Sequence, residues 1–177
     1  VVNGRFVRVH GAVIDPTNPA NNTLADLNPH LTYTDGAGFV PVAQSQRDMS
    51  LGDPRAVVFS SDGVTAYVAA MGSNNVGIFD SALSRAGSDT IGVGEGPPGL
   101  SPDEPRDRLY VMNKFAGSIS VVDLMTETEI TQVQLFDPTP QAIKVGRKHL
   151  YDTHKNSGLG QASCASCHID SRTDRLA

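Results

Sequence analysis

The chain has 177 residues and a formal net charge of −5, with its basic residues scattered rather than gathered into a patch, which excludes a phosphate-backbone binder. Its 17 glycines and 11 prolines, with no tryptophan, suit many short strands joined by tight turns, while recurring apolar runs exclude a disordered chain. No apolar run reaches the ~18 residues a membrane-spanning helix needs, and the only two cysteines, Cys164 and Cys167, exclude a distributed disulfide framework.

Val1-Val2-Asn3 carries neither an initiator Met nor a secretory leader, and Ala177 follows no terminating pattern, so the chain is expected to be part of a longer polypeptide. Near the start, residues Arg5 to Val9 read as a strand. "NNTLADLN" (Asn21 to Asn28) resembles "NNVGIFDS" (Asn74 to Ser81), which suggests a degenerate first repeat. Residues 29–50 fall out of register and are expected to hold an insertion or irregular loop.

The middle of the chain repeats. "DPRAVVFSSDGVTAYVAAMGSNNVGIFDS" (Asp53 to Ser81) aligns without a gap on "GPPGLSPDEPRDRLYVMNKFAGSISVVDL" (Gly96 to Leu124). Pro54 and Pro97, Tyr67 and Tyr110, and Asp80 and Asp123 each lie 43 residues apart. That period is the size of a propeller blade. Asp62-Gly63 reads as a hairpin turn in the first unit. In the second unit a short strand near Gly99 to Ser101 leads to a strand over Arg108 to Met112 and a turn at Gly117-Ser118. "SISVVD" then alternates, placing Ile119 and Val121 on one face. "ETEITQVQL" alternates again, with Thr131, Val133 and Leu135 on one side. Four strands per unit describe a blade, and a single sheet of this kind needs neighbours to cover it.

A third unit begins on schedule at Pro140. "YDTHKNSG" (Tyr151 to Gly158) can be laid on "YVMNKFAG" (Tyr110 to Gly117), although Tyr151 lies only 41 residues after Tyr110. Past Gly158 the blade pattern stops. "YVAA", "YVMN", "ISVVD" and "ETEITQVQL" resemble YVTN-type β-propeller repeats. The resemblance implies a ring of about seven blades, of which this chain supplies fewer than half. It says little about function.

"CASCH" (Cys164 to His168) matches the attachment sequence for c-type haem. Two thiols one helical turn apart can each form a thioether to the porphyrin edge, and the next residue, His168, is then the proximal iron ligand. Ala165 and Ser166 are small and leave room for the ring. Two other readings stay open: a redox disulfide, for which no thioredoxin-like βαβ pattern is present, and half a zinc site completed by His149 or His154. The flanking "GRKHLYDTHKNSGLGQASCASCH" is similar to the haem-binding start of the bacterial dihaem cytochrome c peroxidase family. The matching positions are Gly146, Leu150, Tyr151, Asp152, Ser163, Cys164, Cys167, His168 and the acidic Asp174. This resemblance implies a periplasmic, mostly helical cytochrome domain beginning near Gly146. It competes with the third blade for residues 146–158. The family carries two haem motifs and this chain one, so peroxidase activity does not follow from this stretch.

Too little chain follows His168 to enclose a haem, so the enclosure and the distal ligand are expected from sequence beyond Ala177 or from a partner. The methionine candidates for a distal ligand are Met49, Met71, Met112 and Met125, of which Met71 and Met112 read as packing residues; His154 could reach a haem edge, a propionate or the iron but reads more simply as a loop histidine. His10 and His30 carry no context. "GEGPPG" (Gly94 to Gly99) matches a dinucleotide fingerprint only in letters, because Pro97 and Pro98 block the helix start it needs. Asp80 and Asp123, recurring in each unit, read as turn caps. Ser60, Ser61 and Asp62 lack any nucleophile-base arrangement.

The expected fold is all-β. Residues 1–145 form a partial propeller of four-stranded blades, about three with the first degenerate, and residues 146–177 form the beginning of a helical cytochrome c-like domain. The expected function is that of a periplasmic or secreted bacterial redox protein with covalent haem c at Cys164 and Cys167 and His168 on the iron. It would transfer electrons alone or within a haem oxidoreductase, with the propeller as docking scaffold. The expected partner is a redox protein or further parts of the same polypeptide, with no nucleic acid. The alternative is a binding scaffold with no redox role, or a zinc site at the motif.

Overall fold

A computed structural model of the chain describes residues 7–32, 42–168 and Arg172, with only the backbone described at 86–89. The described chain is mostly β, with three antiparallel sheets and a few helices. A two-stranded hairpin of β1 (His10–Val13) and β2 (Thr23–Asp26) comes first. After the short helix α1 (Gln44–Asp48), two four-stranded sheets follow in strict chain order. The first contains β3 (Pro54–Phe59), β4 (Thr65–Ala70), β5 (Asn75–Asp80) and β6 (Arg85–Gly92). The second contains β7 (Gly99–Asp103), β8 (Arg108–Asn113), β9 (Ser118–Asp123) and β10 (Thr128–Gln134). Two such meanders, one per 43-residue unit and in contact through β3 with β7 and β6 with β10, are compatible with neighbouring blades of a partial propeller.

The turns follow the sequence. Gly63 sits at φ +71° in the β3–β4 turn, where the Asp62 carboxylate accepts from Val64 N–H at 3.0 Å. Asp80 Oδ1 accepts from the amides of Ala82 and Ser84, and Asp123 Oδ1 from those of Met125 and Thr126, so both aspartates cap turns as expected. The Gly94–Gly99 stretch leads into strand β7, without a helix.

Each face of the first sheet has its own core. Ala66, Val68, Ala70 and Phe79 pack under the hairpin through Val9 and Leu27. On the opposite face, Val76 and Ile91, with half-buried Tyr67 and Ile78, meet Leu109, Val111 and Val122 of the second sheet. Burying a side chain such as Leu109, fully covered here, is worth about 1.5–3 kcal/mol. The second sheet's other face has no such cover among the described residues. Tyr110, Ile119 and Val121 align with Tyr67, Val76 and Ile78 of the packed face; they are half-buried and belong to neither core, and Met112 is exposed. Ile119 and Val121 do share a face, opposite Met112 and Tyr110, but it is the outer one. The polar alternates Ser118 and Ser120 are the buried set. Their hydroxyls bond the buried Asn113 amide, and Ser120 Oγ accepts from Gly94 N–H at 3.2 Å. The buried polar face is thereby satisfied, which a purely hydrophobic pattern does not anticipate.

Three expectations shift. Of the strand expected over Arg5 to Val9, residues 5 and 6 lie outside the described residues and 7–9 are not strand; the strand comes later, at His10–Val13. Within 29–50, the structure adds α1, and 33–41 lie outside the described residues. The third unit expected from Pro140 is not a blade in this region. Gln141–Tyr151 forms helix α2, followed by α3 (Thr153–Asn156) and α4 (Cys164–Cys167). Gly146 therefore lies inside a continuous helix. Pro140 precedes its first turn, and Lys148 and His149 sit in its last turn, where the helix dipole favours cations.

Candidate functional site

The helical segment lies across the ends of both four-stranded sheets. At the second sheet, Tyr151 packs against Phe115 with ring centroids 4.7 Å apart and the rings tilted by 43°. The Arg147 guanidinium sits 5.3 Å from the Phe115 ring centre and donates to Phe115 O at 3.2 Å. At the first sheet, Thr153 N–H donates to Gly72 O at 2.8 Å. The Thr153 side chain is fully buried between Gly52 and Gly72, where a Cβ on either glycine would come within 2.7 Å of it. Asp152 ends α2 and caps α3 by accepting from Lys155 N–H at 2.9 Å.

Ser50 joins this latch. Its hydroxyl donates to Leu159 O at 2.8 Å, and its carbonyl lies 2.9 Å from His154 Nε2. His154 is therefore committed to the sheet end, and it does not line the hollow beside the Cys motif. Neither does His149, nor any of Met49, Met71, Met112 and Met125. Met71 lies instead in a crevice with Phe115 and Tyr151.

The motif forms the single turn α4. Ser163 N–H donates to Ser166 Oγ at 3.0 Å, in the manner of a capping box, and His168 N–H closes the turn onto Cys164 O at 2.9 Å. This turn, lying against α2, sorts the five residues by face. Cys164, Cys167 and His168 line one hollow of ≈340 Å³, together with Val7, Leu159 and Gln161. The lining is mainly apolar. Ala165 and Ser166 face the other way, toward Arg8, His10 and Arg55. Both thiols are free; Cys164 is exposed and Cys167 half-exposed. Among the described residues no three His, Cys, Asp or Glu side chains are grouped as a metal ion requires. Asp174 lies outside the described residues.

The latch residues Ser50, Gly52, Gly72 and Thr153 carry no motif. A signal existed in the repeat itself: Gly72 aligns with Phe115 and Gly52 with Glu95. At both positions a glycine of the first unit stands against a large residue of the second, and there the helical segment docks on the first sheet.

The fold and site together define a mostly β chain of repeated four-stranded sheets bearing a helical Cys-x-x-Cys-His segment. No protein-family model matches the chain, and no curated protein matches it. Among solved structures, it is similar to the hydrazine synthase of Kuenenia stuttgartiensis, at 23% identity over 59% of this chain and 27% of that one, with a TM-score of 0.45. It is also similar to a chain of a nidogen/laminin complex, at 16% identity over 48% of this chain and 31% of that one, with a TM-score of 0.40. The chain thus spans under a third of each of these two solved chains. Among the described residues no helix is long and apolar enough to cross a membrane.

Proposed function

We propose that this chain is part of a c-type haem redox protein in which a β-propeller of YVTN-like blades carries a haem-attachment segment across its end. One observation carries the reading: Cys164, Cys167 and His168 open together onto one mainly apolar hollow. A covalent haem needs two thiols at the porphyrin edge and an imidazole at the iron, at different points of one face. A zinc site needs four donors converging on one point, and the three motif side chains are not grouped that way. When bound, haem supplies a one-electron couple. The chain's own residues do the rest: Cys164 and Cys167 anchor the ring, His168 binds the iron, and Val7 and Leu159 limit water.

Among the described residues no second His or Met lines the hollow, so any further iron ligand would come from outside them. The uncovered face of the second sheet, aligned with a face that is covered in the first, supports further blades in the complete protein. Thioether attachment suits a periplasmic or secreted setting, where a dissociable cofactor would be lost. The redox partner is a second protein or another part of the same polypeptide.

The test is a visible spectrum of the protein from a host that matures c-type cytochromes, with a pyridine haemochrome assay after acid–acetone extraction. Haem that survives extraction, and loses that resistance in the Cys164→Ala, Cys167→Ala double variant, is the expected result. A colourless wild-type protein would refute the haem reading and leave the sheets as a binding scaffold.

A further inference from the structure

The hollow beside the motif has two walls of different origin. One is the loop that leads into α4, including Leu159. The other is Val7, at the opposite end of the described chain. The segment bearing Val7 is firmly seated. Val9 N–H donates to Gln161 Oε1 at 3.0 Å, Val9 O accepts from Leu27 N–H at 3.0 Å, and the Val9 side chain is buried in the core between hairpin and first sheet. Gln161 is 2% exposed. It borders both the motif hollow and the hollow of ≈370 Å³ on the far side of α4, so its side chain stands as a partition between them.

We propose that residues 7–9 are part of the haem-binding site: Val7 is a wall of the pocket, and Gln161 is the positioning residue that seats it. This rests on the haem reading above. Iron gains a positive charge on oxidation, and an apolar wall that keeps water away disfavours that gain. A charge placed in the wall acts on the iron with less screening than one in bulk water. The blade core, through Val9, thereby fixes the polarity around a group attached at the other end of the chain.

Two measurements test this. In the haem-free, reduced chain, Val7→Ala and Gln161→Met are each expected to raise the iodoacetamide labelling rate of Cys167 several-fold, with little change at exposed Cys164. Unchanged labelling of Cys167 in both variants overturns the wall. In the haem-loaded protein, Val7→Asp is expected to lower the reduction potential and Val7→Lys to raise it. Val64, 61% exposed in the β3–β4 turn, serves as the control position. Shifts of opposite sign at position 7 and not at position 64 support the proposal. Equal or absent shifts at both overturn it while leaving the haem reading intact. A wild-type chain that takes up no haem overturns both.

Discussion

Gly72→Ala tests the joint between sheets and helices. Gly72 is buried, and its carbonyl receives the Thr153 amide. An added Cβ would stand 2.7 Å from Thr153 Cγ2 and 3.1 Å from Tyr151 O. Carbon atoms prefer about 3.5–4.0 Å, so the two surfaces must part by roughly 1 Å. Thr153 cannot rotate away, because it is β-branched and fully buried. The parting would stretch the 2.8 Å bond from Thr153 N–H to Gly72 O past the usual hydrogen-bond range. Overpacking costs about 1–3 kcal/mol and weakening the bond up to ~1 kcal/mol more, giving roughly 2–4 kcal/mol. Urea denaturation measures this. Thr153→Ser removes the colliding methyl and should cost about 1 kcal/mol alone, yet recover part of the loss in the double variant, with a coupling of roughly 1–2 kcal/mol. A Gly72→Ala chain as stable as wild type, or strictly additive losses, would refute the docking.

Leu109→Ala opens a cavity between the two four-stranded sheets and should cost about 2–5 kcal/mol. Met112→Ala, in the same strand but 50% exposed, should stay within ~0.5 kcal/mol by the same denaturation assay. Asp123 is held below the usual carboxylate range by the Thr126 and Met125 amides and the Arg108 guanidinium. A depressed folded-state value gives stability that is present above the unfolded value of about 3.9 and is lost as pH falls through the folded one. Asp123→Asn should therefore lower the urea midpoint at pH 7, and the difference from wild type should shrink below about pH 4; a gap constant with pH would count against this cap.

Much of the β-architecture was legible in the residues. The 43-residue period, the Gly63 and Gly117 turns and the Asp80 and Asp123 caps are local features, and backbone sterics and short-range hydrogen bonds enforce them. The face each strand buries was less legible. In β9 the alternation is clear, but Ser118 and Ser120 face inward because the Asn113 amide and the Gly94 amide lie there to bond them. The third repeat misled for a related reason. Tyr151 does align with Tyr110, but the residues from Gln141 onward have no strand partner and instead satisfy their backbone within a helix.

The motif itself was fully visible: two thiols and an imidazole at fixed spacing are a covalent fact of the chain. Which side chains surround it was not. Val7 and Gln161 are 154 positions apart in sequence and line one hollow, and His154, near the motif in sequence, is turned away to the Ser50 carbonyl. Sequence determines the repeat, the turns and the donor set, because those depend on neighbours along the chain. Only the tertiary structure decides the walls of the hollow and the latch on Gly52 and Gly72, because those depend on which distant surfaces can close without a gap or a collision.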